Sequence, residues 1–174
     1  DSSSRSTGVC CISPRIASAA LALVSLRTEA QVVVTAFTSG GRNGMEQGKR
    51  RGWANAISTL DLSPRQRLDD VVERISNLPF GGTDCALPML YALEKGLEVD
   101  AFVVYTDSET WAGNIHPSQA LAQYRERTGI DAKLVVVGMV SNGFTIADPR
   151  DEGMLDVVGM STDTPQVISH FIAG

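Results

Sequence analysis

The stretch DAFVVYT at residues 100–106 decides the fold class. Its interior is apolar and mostly β-branched or aromatic, without the polar alternation of a half-exposed strand. Such a run is typical of a strand buried on both faces of a parallel sheet. AKLVVVG at residues 132–138 and QVVVTAF at residues 31–37 have the same character, and a short strand is predicted at residues 154–158.

Helical segments alternate with these strands. Apolar residues recur at helical spacing in residues 64–78 and 86–97, and residues 14–26 are rich in Ala and Leu. Pro117 and Gly129 suit the start and end of a helix at residues 116–128. A last helix is predicted at residues 165–172.

This alternation predicts an α/β fold, a three-layer, doubly wound, mostly parallel sheet in a single domain at residues 1–174. No strand precedes the first predicted helix, so we expect the chain to lack the first strand of its sheet. A missing strand would expose apolar faces and unpaired backbone groups, so we also expect the chain to be unstable alone.

The composition is that of an ordinary globular domain, with 43% hydrophobic and 20% charged residues. No apolar run approaches the roughly 18 residues that a membrane span needs, and nothing resembles a signal peptide. Cys10, Cys11 and Cys85 lack metal-type spacing, and adjacent cysteines rarely bridge each other. Cysteine usage therefore favours a reducing, cytoplasmic compartment.

The formal net charge of −5 argues against direct nucleic-acid binding, which normally requires a basic surplus. The one basic cluster, Lys49 to Arg51, lies in a glycine-rich stretch at residues 40–52 that is predicted to be a flexible surface excursion. This cluster is either a solvated loop or a contact surface.

Oxygen-bearing side chains follow the predicted strands. Ligands of parallel sheets gather at the carboxyl ends of the strands, where TDSET at residues 106–110 follows the strand at 100–106. Thr83 lies in a loop expected to reach the same edge, and Asp1 begins a third such loop. Each of these residues could simply cap a helix. Together, however, their oxygens suit a hard cation such as Mg²⁺, which takes one or two carboxylates plus hydroxyls and water.

Two of these loops carry a family resemblance. GGTDC at residues 81–85 and YTDSET at residues 105–110 resemble the second and third loops of a von Willebrand factor A-type domain. In that family the threonine and the aspartate, here Thr83 and Asp107, complete a metal-ion-dependent adhesion site (MIDAS).

A closer resemblance extends from about residue 14 to the end of the chain. GMVSNGFTIADP at residues 138–149 and GMLD at residues 153–156, with His116-Pro117 and Tyr124-Arg125, resemble the C-terminal domain of the Ro ribonucleoprotein (TROVE) family, which has many bacterial members. The resemblance implies a preceding ring of helical repeats that binds Y RNAs and the ends of misfolded small RNAs. That ring is not in this sequence.

The first loop of the family, Asp-x-Ser-x-Ser, is matched only in part. Asp1 and Ser3 would take the first two places, but Arg5 stands at the second serine and cannot ligate Mg²⁺. Alternatively, the motif lies upstream, and Thr83 and Asp107 form an incomplete site.

Three functions follow from these residues. The leading one is a non-enzymatic domain whose bound cation accepts an acidic group of a protein partner. The second is a structural module without metal. The third is a metal-assisted phosphoryl hydrolase using Asp107, with Glu109 or Asp84 as a base. Two further segments each allow two interpretations. Asn142 to Phe144 is predicted to be either a structural loop or a docking surface. Trp111 is predicted to be either a buried or an exposed aromatic residue.

Overall fold

A computed structural model describes residues 14–29, 31–37, 57–77, 84–106, 115–138, 146–159 and 161–174, with the side chains of Pro14 and Arg15 left aside. Helices and strands alternate along most of the chain. Their bounds are α1 (Pro14–Thr28), β1 (Val34–Phe37), β2 (Ile57–Leu60), α2 (Leu68–Ser76), α3 (Leu87–Lys95), β3 (Ala101–Thr106), α4 (Pro117–Thr128), β4 (Lys133–Gly138), β5 (Met154–Val158) and α5 (Thr164–Ala173).

Strands β3, β4 and β5 form a parallel sheet in the order β3-β4-β5. One row of its register is Val104, Val136 and Asp156, and the row at the carboxyl edge is Thr106, Gly138 and Val158. Every residue of the central strand β4 after Lys133 is buried. The strands predicted at residues 100–106, 132–138 and 154–158 are therefore confirmed, and β4 is buried on both faces as expected.

The strand predicted at residues 31–37 differs from the prediction. It begins only at Val34, and all four residues of β1 are half-buried. It pairs with β2 in antiparallel orientation, from Val34 opposite Leu60 to Phe37 opposite Ile57. Sequence reasoning missed β2, because Ser58 and Thr59 are exposed and interrupt any apolar run.

Helices cover both faces of the parallel sheet. One face packs against α3 and α4 in a large core to which Met89, Tyr124 and Val104 contribute, here called the α3–α4 core. On the opposite face, Leu21 of α1 and Ile168 of α5 pack against β4. The three-layer α/β architecture predicted from the sequence is thus present.

Two helices are shorter than predicted. Helix α2 begins at Leu68 instead of Pro64, because Ser63 to Gln66 form a turn in which the Gln66 N–H donates to the Ser63 carbonyl at 3.0 Å. Helix α3 ends at Lys95, since Gly96 takes a left-handed conformation with φ of 66°. Gly129 ends α4 in the same way, with φ of 74°.

Tyr124 ties α4 to the connection that leads from α3 to β3. Its hydroxyl donates to the Leu97 carbonyl and accepts from the Val99 N–H, both at 2.7 Å. The ring meets Phe102 edge-on, with centroids 5.0 Å apart. A buried tyrosine thus satisfies two backbone groups where the chain enters the sheet.

Arg125, the next residue, holds the same end of α4 against the turn that precedes β5. Its Nε donates to the Ala132 carbonyl at 2.8 Å, and its Nη1 lies 2.6 Å from Asp151 Oδ2. Burial raises the pKa of the Asp151 carboxyl, but the bonds from Arg125 and from the Gly153 N–H outweigh it, so the pKa lies below its ordinary value. No helix in the described part of the chain is long and apolar enough to cross a membrane.

Candidate functional site

The carboxyl edge of the parallel sheet is the predicted location of the site. Strand β3 ends there at Thr106, a polar residue with only 4% of its surface exposed. Its register partner is Gly138, the last residue of β4. Asp107 is the next residue of the chain, so the covalent connection from β3 begins at this edge.

The start of α3 carries a carboxylate that organises the backbone. Asp84 Oδ1 accepts a hydrogen bond from the Ala86 N–H at 3.1 Å, and the Asp84 carbonyl accepts one from the Leu87 N–H at 3.1 Å. The two residues after Asp84, Cys85 and Ala86, are fully buried in the α3–α4 core. Asp84 therefore stabilises a packed turn at the start of α3.

A second carboxylate approaches the same turn from β5. Asp156 follows Met154 on the sheet face that packs into the α3–α4 core, and its Oδ2 accepts from the Ala147 N–H at 3.0 Å. Burial, followed by the negative charges of Asp84 and Asp156, raises the pKa of the Cys85 thiol to about 12. Cys85 is therefore a protonated thiol at neutral pH and a poor nucleophile.

The start of α4 lies near the β4–β5 connection. His116 Nδ1 accepts from the Ser118 N–H at 3.2 Å, and Gln119 returns a bond to the His116 backbone, which completes a capping box. Hydrogen bonds from the Arg150 side chain and backbone are the main cause of the lowered pKa of the Asp148 carboxyl, and His116 lies close enough to contribute less. The helix predicted to start at His116 is confirmed, with His116 as its cap.

The predicted metal ligands lie outside the described residues. This applies to Asp1, Ser3, Thr83 and Asp107, so the cation site stays a prediction. Among the residues that the structure does describe, no three His, Cys, Asp or Glu side chains could hold a metal ion together. The basic cluster, Arg5, Glu109, Trp111 and residues 142–144 also fall outside the described ranges.

Sequence reasoning missed Asp156 as a residue near the predicted edge. The signal was available, since a charged residue in the middle of the apolar strand MLDVV is unusual. What the sequence could not supply is its partner, because Ala147 reaches Asp156 only when the β4–β5 connection folds back over the sheet.

The chain matches the family model of the Ro60 vWA domain over residues 2–172. It is 41% identical over 167 residues to the RNA-binding protein RO60 of Deinococcus radiodurans, a match covering 96% of this chain and 28% of that protein. It is 38% identical over 164 residues to the RNA-binding protein RO60 of Caenorhabditis elegans, covering 94% of this chain and 23% of that protein.

A solved structure has the same fold. The crystal structure of the Deinococcus radiodurans RO (RSR) protein superposes with a TM-score of 0.78 at 40% identity, covering 95% of this chain and 30% of that one. The chain thus spans about a quarter to a third of the length of these relatives.

Proposed function

The chain belongs to the Ro60 vWA domain family, and from that membership we propose that it serves as the binding and scaffold domain of a Ro-type protein acting on small non-coding RNA. The observation that carries the proposal is the similarity over 94 to 96% of this chain to two proteins named as RNA-binding. The domain acts by binding, not by catalysis. Its free, buried Cys85 suits the reducing cytoplasm inferred from cysteine usage.

RNA contact is assigned to the rest of the longer protein. A net charge of −5 disfavours phosphate binding by this chain, so the helical-repeat ring of the family would hold Y RNA and misfolded RNA while this domain packs on the ring. A mobility-shift titration of a small structured RNA with the 174-residue chain, after circular dichroism has shown that the chain is folded, checks this division. Retardation at about 1 µM or less at physiological salt would contradict it, because non-specific binding is usually no tighter than that.

We further propose a divalent-cation site, with Mg²⁺ as the natural ion, formed by Thr83 and Asp107 and completed by Asp1 and Ser3. Its open coordination position would accept an acidic group of a protein partner. Hydroxyl and carboxylate oxygens are the donors that Mg²⁺ prefers. When bound, the ion supplies a positive charge that an acidic side chain can reach.

Thr83 and Asp107 adjoin two described residues, Asp84 just before α3 and Thr106 at the end of β3. Asp84, next to Thr83, and Asp156 both act on Cys85, which places the start of α3 near β5. Asp156 is two residues before the end of β5. In the sheet register it lies beside Val136 and Val104, two residues before Thr106 along β3. This arrangement supports the proposal that Thr83 and Asp107 act together, with β4 between the two strands concerned.

Calorimetric titration with MgCl₂ or MnCl₂ tests the cation site. We expect binding to be lost in Asp107→Ala and retained in Asp100→Ala. Asp100 is exposed and lies just before β3, so its substitution removes the same charge at the opposite end of that strand. Equal isotherms for the wild type and Asp107→Ala would refute the site, and metal-dependent phosphoester turnover lost in Asp107→Asn would instead indicate a hydrolase.

A further inference from the structure

We infer that a groove between α1 and α2 receives an amphipathic helix from the rest of the longer protein, which makes this face of the domain an internal interface. The inference rests on the proposed function, in which the domain packs on the remaining chain. It adds the surface through which that packing occurs and the side chains that the docking helix needs.

The groove is open, has a volume of about 750 Å³ and has an aliphatic lining. Ile16 of α1 lines it together with Leu68 and Val72, which are one turn apart on α2. Ile16 is 38% exposed and Leu68 is 40% exposed. The two helices are fixed against each other through buried residues that include Ala19 and Val71, so the groove is preformed.

The other exposed aliphatic side chains of the described structure do not share a groove. Val33 lies before β1, Val158 ends β5 and Val167 is on α5. Single exposed apolar residues are ordinary on a protein surface, whereas apolar residues gathered in one groove indicate a contact surface. The α1–α2 groove is therefore the apolar surface of the described chain that best fits a partner.

The rest of the longer protein is the occupant, because most of the polypeptide of the relatives lies outside the part that this chain matches. The chain covers 28% of the Deinococcus radiodurans relative and 23% of the Caenorhabditis elegans relative. A groove between two helices accepts the ridge of a third helix. Docking within one polypeptide avoids most of the entropy loss of association, so an open groove of this size suffices.

The charged residues of the groove indicate the chemistry of the docking helix. Asp69 and Glu73 line the groove one turn apart, and Asp69 is paired with Arg67 at 3.2 Å. Glu73 has no ion pair within the described ranges. The docking helix should therefore carry aliphatic side chains for Leu68 and Val72 and a Lys or Arg for Glu73.

Cysteine labelling of the full-length protein tests the groove. Leu68→Cys should react with N-ethylmaleimide about tenfold more slowly than Val167→Cys, because access limits the reaction at a covered position. The positions are matched, since the domain leaves the two side chains 40% and 46% exposed. In the 174-residue chain, once circular dichroism has shown that it is folded, the two variants should react at similar rates. Mass spectrometry of the two peptides measures the rates.

Charge reversal tests the chemistry of the docking helix. Glu73→Lys, combined with Leu68→Cys in the full-length protein, should raise the labelling rate at residue 68 about fivefold, because like charges oppose docking. Asp70→Lys is the matched control. It makes the same change of charge on α2 at an exposed residue that does not line the groove.

Each outcome bears on a different claim. Equal labelling of Leu68→Cys and Val167→Cys in the full-length protein would overturn the interface. Slow labelling of Leu68→Cys in the 174-residue chain would overturn the occupant, because the chain itself or a second copy would then fill the groove. Equal effects of Glu73→Lys and Asp70→Lys would overturn the charge assigned to the docking helix. Failure of the full-length protein to shift a small structured RNA would refute the proposed RNA role and not the docking.

Discussion

Replacing Gly153 by alanine should weaken the link between α4 and β5 by displacing the guanidinium of Arg125. A Cβ atom at residue 153 would meet Arg125 Nη2 in a direct clash and would lie 3.2 Å from Asp151 Oδ1. Gly153 has no left-handed backbone angle, so alanine fits the backbone itself. The guanidinium is the end of a flexible side chain, so it should move away and give up its bonds.

Gly153→Ala should lower the free energy of unfolding by the contribution of two bonds that Arg125 makes, to Asp151 at 2.6 Å and to the Ala132 carbonyl at 2.8 Å. Hydrogen bonds to charged groups contribute about 1.5–3 kcal/mol, and we expect about 2 kcal/mol because the two charged side chains are 22% and 31% exposed. For a chain of this length, that lowers the melting temperature by about 4–8 °C.

A double-mutant cycle in urea isolates this contact. With Arg125→Ala already in place, Gly153→Ala should be neutral or slightly stabilising, because the clash is gone and alanine restricts the unfolded chain. Gly129→Ala is the control for alanine at a strained angle, since φ there is 74° and nothing lies within 4 Å of the added Cβ. Additive effects of the Arg125 and Gly153 substitutions would refute the reasoning.

The same cycle should depend on pH. The pKa of Asp151 is lower in the folded chain than in the unfolded one, so its ionised form favours folding. The contribution is fully present above the unfolded pKa, near 3.9, and is lost as the pH falls through the folded value. The stability difference between the wild type and Arg125→Ala should thus shrink below about pH 4, and a constant difference down to pH 2 would contradict the assignment.

Two further predictions concern buried groups in the α3–α4 core. Tyr124→Phe should cost about 1–3 kcal/mol in urea unfolding, because the Val99 N–H and the Leu97 carbonyl lose a partner while the ring contact with Phe102 stays; a loss below about 0.5 kcal/mol would show that water replaces the hydroxyl. Cys85 should resist iodoacetamide at pH 8 in the folded chain and react after unfolding, since burial and nearby carboxylates raise its pKa to about 12. Mass spectrometry of the peptide that contains Cys85 distinguishes the two results.

The parallel part of the fold could be predicted because its signals are local. Strands β3 and β4 are continuous apolar runs, and Pro117 with Gly129 marks both ends of α4. Strand β2 gave no such signal: Ser58 and Thr59 face solvent, and its partner β1 is separated from it by a long connection. Antiparallel pairing of this kind depends on tertiary contacts that a single sequence does not display.

The environment of the candidate site was predicted less well than the fold. The sequence predicted oxygen-bearing loops at the carboxyl edge, and the residues of those loops named as metal ligands lie outside the described ranges. It gave no indication that Asp156 would act on Cys85 or that His116 would lie close enough to influence Asp148. Each of these pairs joins segments far apart in sequence, so only the folded chain brings them together.

Residues 138–149 carry the family resemblance, and the structure describes residue 138 and residues 146–149 of this stretch. In its described end, Ile146 and Ala147 are buried in the α3–α4 core, and the Asp148 carbonyl accepts from the Asp151 N–H at 3.0 Å, which closes a turn at Asp148-Pro149. These two residues share the α3–α4 core with Met154 of β5, and Asp156 of the same strand accepts a hydrogen bond from the Ala147 N–H. Packing therefore accounts for Ile146 and Ala147, whereas Asp148 is half-buried and Pro149 is exposed, and the docking role of Asn142 to Phe144 stays a prediction.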